Sequence, residues 1–230
     1  MTLFSQGDIT GLVAVYAYVS AVIATSWAFR HRMQNPRKLV HILTGGIVFF
    51  WWMFDSRLVM SGLAALPFVF ILLLATPRSP VRWLRESPLG QRSSEGHEYG
   101  LVMYAVSWTI IAFFLFGDLF AASIAIVAMS FGDGAGELIG RKYGRIRYLP
   151  HRTVEGSVAV FAATFVSILT LGWFYFGLIG YTGGSLPAIP ILFAWAVAGI
   201  VTMLEALSPG SIDNLVIPLV VAGLLHVMGV

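Results

Sequence analysis

The chain contains no cysteine in its 230 residues, and charged side chains make up only 11% of it. The first absence excludes disulfides and thiolate metal sites. The second excludes an ordinary water-soluble surface, because soluble domains carry roughly 25% charged residues. A Gly-x-x-x-x-Gly-Lys-Ser/Thr loop is also missing. The stretch Gly134–Gly140 is one residue too long for Gly-x-Gly-x-x-Gly and follows no strand, so P-loop and Rossmann folds are excluded. No basic cluster precedes the first apolar run: the only early charge is Asp8, and Arg30 and Arg32 follow the run. The first segment is therefore expected to be a retained span rather than a cleaved leader. The net charge of +3 comes from basic residues scattered between apolar spans, which is not the pattern of a nucleic-acid binder.

Apolar sequence is abundant. Hydrophobic residues reach 58% and the mean hydropathy is +0.84. A spanning helix needs about 20 mainly apolar residues. Such runs fall at roughly 9–29, 39–54, 58–76, 100–117, 119–140, 157–179, 188–207 and 213–229. The fold class expected is all-α: a polytopic transmembrane bundle of about eight spans (seven to nine), forming one membrane-embedded domain over 1–230.

Lysine and arginine accumulate in cytoplasmic loops. Here they gather in alternate loops: Arg30, Arg32, Arg37 and Lys38; then Arg78, Arg82, Arg85 and Arg92; then Arg141, Lys142, Arg145, Arg147 and Arg152. Only Arg57 lies in an intervening loop. This asymmetry predicts an even number of spans, both termini outside and a multi-pass protein of the cell (inner) membrane. Asp8, Asp55 and Asp118 mark the outer side. The remaining acids (Glu86, Glu95, Glu98, Asp133, Glu137, Glu155, Glu205, Asp213) lie in or near the cytoplasmic loops. Acids and bases crowded at one interface can bind a polyanion with a divalent metal. The plain alternative is a solvated, self-paired surface, and the first two basic loops could be only that.

The most informative stretch is Ser130–Arg145. Its glycines recur at 132, 136, 140 and 144, which on a helix makes one smooth stripe open to close approach by another backbone. The adjacent column reads Asp133, Glu137, Arg141 and Arg145, also on one face. Asp133 precedes Arg141 by ~12 Å at ~1.5 Å per residue, so it lies inside the membrane boundary, where an ionised carboxylate is costly. Glu137 can pair with Arg141 as part of a structural ion ladder. The alternative is a site: two acids one turn apart suit Mg²⁺, with Arg141, Lys142 and Arg145 gripping phosphates.

The loop that follows reads His151-Arg152-Thr153-Val154-Glu155-Gly156-Ser157 before the sixth span. Ser157 is the expected N-cap of that span, and helix N-termini also attract phosphate. His41 and His151 could contact phosphate, although a lone histidine is more often structural. His97 and Glu98 open the fourth span with the same ambiguity. Trp51, Trp52, Trp108, Trp173 and Trp195 are expected in interfacial belts or packing.

Taken together, these segments resemble the CTP-dependent lipid kinases that phosphorylate phytol, farnesol, dolichol or diacylglycerol, distant relatives of the phosphatidate cytidylyltransferases. The resemblance rests on Gly132-Asp133, Gly140-Arg141-Lys142-Tyr143-Gly144 and Arg152-Thr153-Val154-Glu155-Gly156-Ser157. It extends to Arg37-Lys38-Leu39-Val40-His41 and to Glu205 with Asp213-Asn214-Leu215-Val216-Ile217-Pro218. Arg152 stands where the family usually has lysine, and Ile212 where it often has an aspartate. Glu137 and the short chain favour the phytol-kinase branch.

The resemblance implies transfer of the γ-phosphate of CTP, with Mg²⁺, to a membrane-embedded lipid alcohol at the cytoplasmic face. It makes Asp133, Glu137 and Asp213 catalytic, and Asp133, Glu137, Glu205 and Asp213 the metal ligands. Nucleotide or phosphate contacts fall to Arg37, Lys38, His41, Arg141, Lys142, Arg145, Arg152, Thr153, Glu155, Ser157 and Asn214. A cytidylyltransferase, a CTP-dependent diacylglycerol kinase and a lipid transporter or scramblase are the competing readings. Intramembrane charge gathered at one face argues against the transporter. The glycine stripe leaves packing within the chain and packing in a homodimer both open.

Overall fold

The computed structural model describes residues 4–28, 36–86, 99–183, 190–208 and 212–229. Among them are eight apolar helices: α1 (Gln6–Ala28), α2 (Lys38–Met53), α3 (Arg57–Leu74), α4 (Gly100–Phe114), α5 (Leu119–Tyr143), α6 (Val154–Ile179), α7 (Pro190–Leu207) and α8 (Asp213–Met228). Each overlaps one of the eight apolar runs. Five (α1, α3, α5, α6 and α7) are long and apolar enough to cross a membrane; the other three are shorter. The all-α polytopic membrane bundle is thus observed. A single helical turn at Arg82–Arg85 follows α3.

The shortness of α2 has a local remedy. Its second half, Gly45–Met53, is wound as a 3₁₀ helix, which rises ~2.0 Å per residue instead of ~1.5 Å. The segment therefore reaches ~28 Å, close to the ~30 Å hydrocarbon core. Three π-helical stretches, Met60–Ala65 in α3, Ala128–Asp133 in α5 and Trp173–Ile179 in α6, widen their helices locally.

The chain divides into two compact units. The first comprises Met1–Phe116 and Gly210–Leu215, the second Gly117–Pro209 and Val216–Val230. In the first unit, α1 buries Gly11, Val15, Val19 and Val22, a stripe at helical spacing. Tyr18 anchors it to α2 by donating to the Leu43 carbonyl (2.6 Å), and Tyr16 donates to Leu63 in α3 (2.7 Å). Asp8 is buried and accepts from the backbone N–H groups of Asp55 (3.1 Å) and Ser56 (3.0 Å), which tethers the start of α1 to the α2–α3 turn. Trp51 and Trp108 are buried and stacked at 5.9 Å, so they are packing residues, whereas Trp52, Trp173 and Trp195 are exposed as belt residues would be.

In the second unit, α5 is the buried helix: 89% of its apolar window is enclosed, against 28% for α6 and α7. Asp118 caps it by accepting from Ala121 N–H (3.1 Å). Burial pushes the Asp118 carboxyl above its ordinary range; the Ala121 N–H and the charge of His226 oppose that shift. The hydroxyl of Tyr181 accepts from Leu119 N–H (2.9 Å) at the same end.

The glycine stripe packs within the chain. A Cβ on Gly140 would stand 3.2 Å from Thr153 Oγ1 and 3.5 Å from the Cα of Gly156, and one on Gly136 would collide with the Val160 side chain. The helices α5 and α6 therefore approach backbone to backbone. Gly136→Ala is expected to lower the stability of the detergent-solubilised protein by ~1–3 kcal/mol, the usual cost of overpacking. Gly199→Ala is the control, since a Cβ there meets nothing within 4 Å. Equal melting temperatures for the two variants would contradict the close approach.

Candidate active site

Two segments of the second unit build a small platform at the C-terminal end of α5. Residues Arg147–Leu149 and Arg152–Thr153 form an antiparallel hairpin, with Arg147 opposite Thr153 and Leu149 opposite Arg152. The sequence pattern predicts a plain loop there. The hairpin feeds directly into α6, whose N-cap is Thr153, not Ser157: Thr153 Oγ1 accepts from Gly156 N–H (3.1 Å). The helix begins earlier than its apolar run because Val154 and Glu155 extend it into the polar layer. Ser157 lies in the first turn and shares a hydrogen bond with the Tyr148 hydroxyl (2.6 Å). The Glu155 carboxylate accepts from Ile146 N–H at 3.3 and 3.4 Å, which tightens the hairpin against the helix.

Burial sorts the charges. Arg141, Lys142, Arg145, Arg147 and His151 are exposed and form a basic rim. Below them Glu137 is half-buried and pairs with Arg141 at 3.1 Å, the helical i,i+4 pair expected from the sequence. Deeper still, Asp133 (5% exposed) closes the π-helical stretch, and Glu205 of α7 is 3% exposed. A Cβ at Gly136 would lie 3.9 Å from Glu205 Oε1. The glycine lets the α7 carboxylate sit against α5, in the stretch that carries Asp133 and Glu137.

Arg152 spans this layer. Its guanidinium forms an ion pair with Glu205 and donates to the Ser208 carbonyl (3.2 Å), tying the hairpin to the end of α7. The sequence suggested a phosphate grip for Arg152 and a metal role for Glu205; the structure holds the two together. Nothing in one dimension linked residues so far apart. Tyr148 also escaped the sequence reading, since only the hairpin brings it to Ser157.

The remaining assigned residues lie in the first unit. Lys38 and His41 are buried on α2, and the His41 ring packs 4.7 Å from that of Tyr104. Asp213 Oδ1 accepts from Asn214 N–H (2.7 Å), the Asn214 amide donates to the Gly100 carbonyl (3.2 Å), and Ser107 donates to the Asn214 carbonyl (2.7 Å). The Asn214 Oδ1 atom is buried with no hydrogen-bond partner among the described residues. The side chain of Arg37, and His97 and Glu98 entirely, lie outside the described residues.

Among the described residues, no three His, Asp or Glu side chains group closely enough to cage a metal. The carboxylates of Asp133 and Glu137, four residues apart on α5, are donors compatible with Mg²⁺ beside a nucleotide. Magnesium keeps several waters and is ordinarily held by one or two carboxylates plus substrate phosphates, not by an all-protein cage.

The phytol kinase of Synechocystis sp. is 31% identical over 220 aligned residues, which cover 91% of this chain and 86% of the relative. The chain belongs to the phytol kinase family. As a member of it, the protein is a kinase, and its apolar helices make it a membrane protein. Phytol kinase 1, chloroplastic, of Arabidopsis thaliana is 28% identical over 199 residues, 76% of this chain and 60% of that longer relative. No family model matches the chain, and no solved structure matches it.

Proposed function

We propose that this phytol kinase family member transfers the γ-phosphate of CTP to the hydroxyl of a prenol such as phytol, farnesol or a polyprenol. The observation that carries the reading is the layering of the second unit: a buried Asp133 and a half-buried Glu137 on one helix face, beneath an exposed basic rim. The alcohol oxygen attacks the γ-phosphorus, the bond to the β–γ bridging oxygen breaks, CDP leaves, and the alcohol's proton passes to a carboxylate. Such a transfer needs positioning and charge neutralisation more than covalent chemistry from the protein. Asp133 and Glu137 would hold Mg²⁺, which supplies positive charge against the phosphate oxygens. Arg141, Lys142 and Arg145 approach the triphosphate from water, where guanidinium groups bind phosphate in bidentate fashion. By their family motifs alone, Lys38, His41 and Asn214 are assigned nucleotide contacts, and Asp213 or Glu205 a further metal contact or acceptance of the alcohol's proton. The depth of Asp133 matches a substrate whose hydroxyl stays near the membrane interface.

The test is a reconstitution. Purified protein, Mg²⁺ and each γ-labelled nucleoside triphosphate are combined with phytol, farnesol, undecaprenol or diacylglycerol. Label should pass from CTP to a prenol with release of CDP. Release of pyrophosphate would instead indicate cytidylyl transfer, and label from ATP alone would remove CTP as donor.

We also propose that the basic rim faces the cytoplasm with both termini outside. The chain has no native cysteine, so single cysteines report cleanly. A cysteine at His151, exposed and clear of the Thr153 cap, should react only from the cytoplasmic side, and one at Gly183 only from outside. Reaction of both from one side would end the eight-span topology.

A further inference from the structure

The second unit carries a half-open apolar cavity of about 320 Å³, with Trp173 and Gly177 exposed at its edge, that the chemistry above does not use. Its walls are Phe120 of α5, Ile168, Gly172, Trp173 and Gly177 of α6, and Phe193 of α7. All these side chains are apolar apart from one indole N–H, so the space suits hydrocarbon. Gly172 and Gly177 bracket the start of the π-helical stretch Trp173–Ile179, where widened winding and missing side chains open the face of α6.

The position of the cavity relative to Asp133 is set by one helix. Phe120 and Asp133 both belong to α5, thirteen residues apart, which is ~20 Å at ~1.5 Å per residue. That exceeds one leaflet of a ~30 Å hydrocarbon core. A lipid whose hydroxyl is at Asp133 reaches the cavity only with a tail at least as long as the surrounding acyl chains. The volume lies at the low end for small-molecule pockets, so it takes the end of a tail and not a whole lipid.

We infer that this cavity receives the distal end of the acceptor's isoprenoid tail and so selects long prenols over short ones. The inference rests on the kinase reading and goes beyond it by naming where chain length is measured. Gly177→Leu fills the cavity from α6, and Phe193→Ala enlarges it from α7. Each is assayed with geraniol, farnesol, phytol and geranylgeraniol.

Gly177→Leu should lower the ratio of kcat/KM for phytol to that for geraniol by about tenfold, the scale on which apolar pockets discriminate. Phe193→Ala should move preference toward the longer or bulkier tail. A prenol carrying a diazirine at its tail end should label α5, α6 or α7 at the cavity walls. An unchanged chain-length profile in both variants, or labelling elsewhere in the chain, overturns the inference. A wild-type protein that phosphorylates none of the four alcohols overturns the reading of these prenols as acceptors instead, and the photolabel then decides the cavity by itself.

Discussion

Asp133→Asn should leave a folded protein whose turnover falls on the order of a thousandfold, the scale on which losing one precisely placed electrostatic group acts. Asparagine preserves size and one oxygen, and at 5% exposure a neutral amide is no harder to bury than a carboxylate. Stability measured by thermal unfolding in detergent should therefore stay near wild type while phosphoryl transfer collapses. If Asp133 instead belongs to an ion ladder, activity should persist and stability should change. Steady-state kinetics with saturating Mg²⁺ and CTP separates the two, and substantial residual kcat would exclude a metal-holding role.

Arg152→Ala should unfold at markedly lower temperature than wild type, for a reason absent from the sequence. Glu205 is 4% exposed at its side chain, and Arg152, at 21%, is its ion-pair partner. Removing one member of a buried ion pair costs about 3–5 kcal/mol. Partial exposure of the arginine lowers that to about 2–4 kcal/mol. Arg152→Ala/Glu205→Gln removes both charges and should recover most of the lost stability. The double variant then isolates the chemistry. If kcat and the KM for nucleotide return with stability, the pair only positions the hairpin on α7; if stability returns and catalysis does not, the pair also serves the chemistry, through the guanidinium on phosphate or the Glu205 carboxylate on the metal. Arg152→Lys keeps the charge but loses the two-pronged reach to Glu205 and the Ser208 carbonyl, so it should be intermediate.

The eight apolar runs foretold the eight helices because membrane insertion is decided by local hydrophobicity over a fixed length. Fidelity was lowest at their polar ends. The N-terminus of α6 was placed at Ser157 because apolar composition begins there, yet backbone hydrogen bonding begins at Thr153, whose hydroxyl finds the Gly156 N–H. The 3₁₀ winding of Gly45–Met53 was equally invisible, since i+3 and i+4 bonding leave the same apolar composition. The glycine column was legible as a contact surface, but not the identity of its partner, which could have been another chain.

Composition and spacing alone determined that the protein is a helical membrane protein, that Asp133, Glu137 and Arg141 share a helix face, and that basic residues crowd alternate loops. These properties depend on residues near one another in sequence, where helical periodicity converts spacing into geometry. Tertiary structure decided what spacing cannot express. It seated the stripe of α5 on α6, joined Arg152 to Glu205 across the hairpin and α7, brought Tyr148 to Ser157, and left an apolar cavity between α5, α6 and α7. Each of these arises from packing between segments distant in the chain, and packing follows from the shapes of facing surfaces, which no single segment contains.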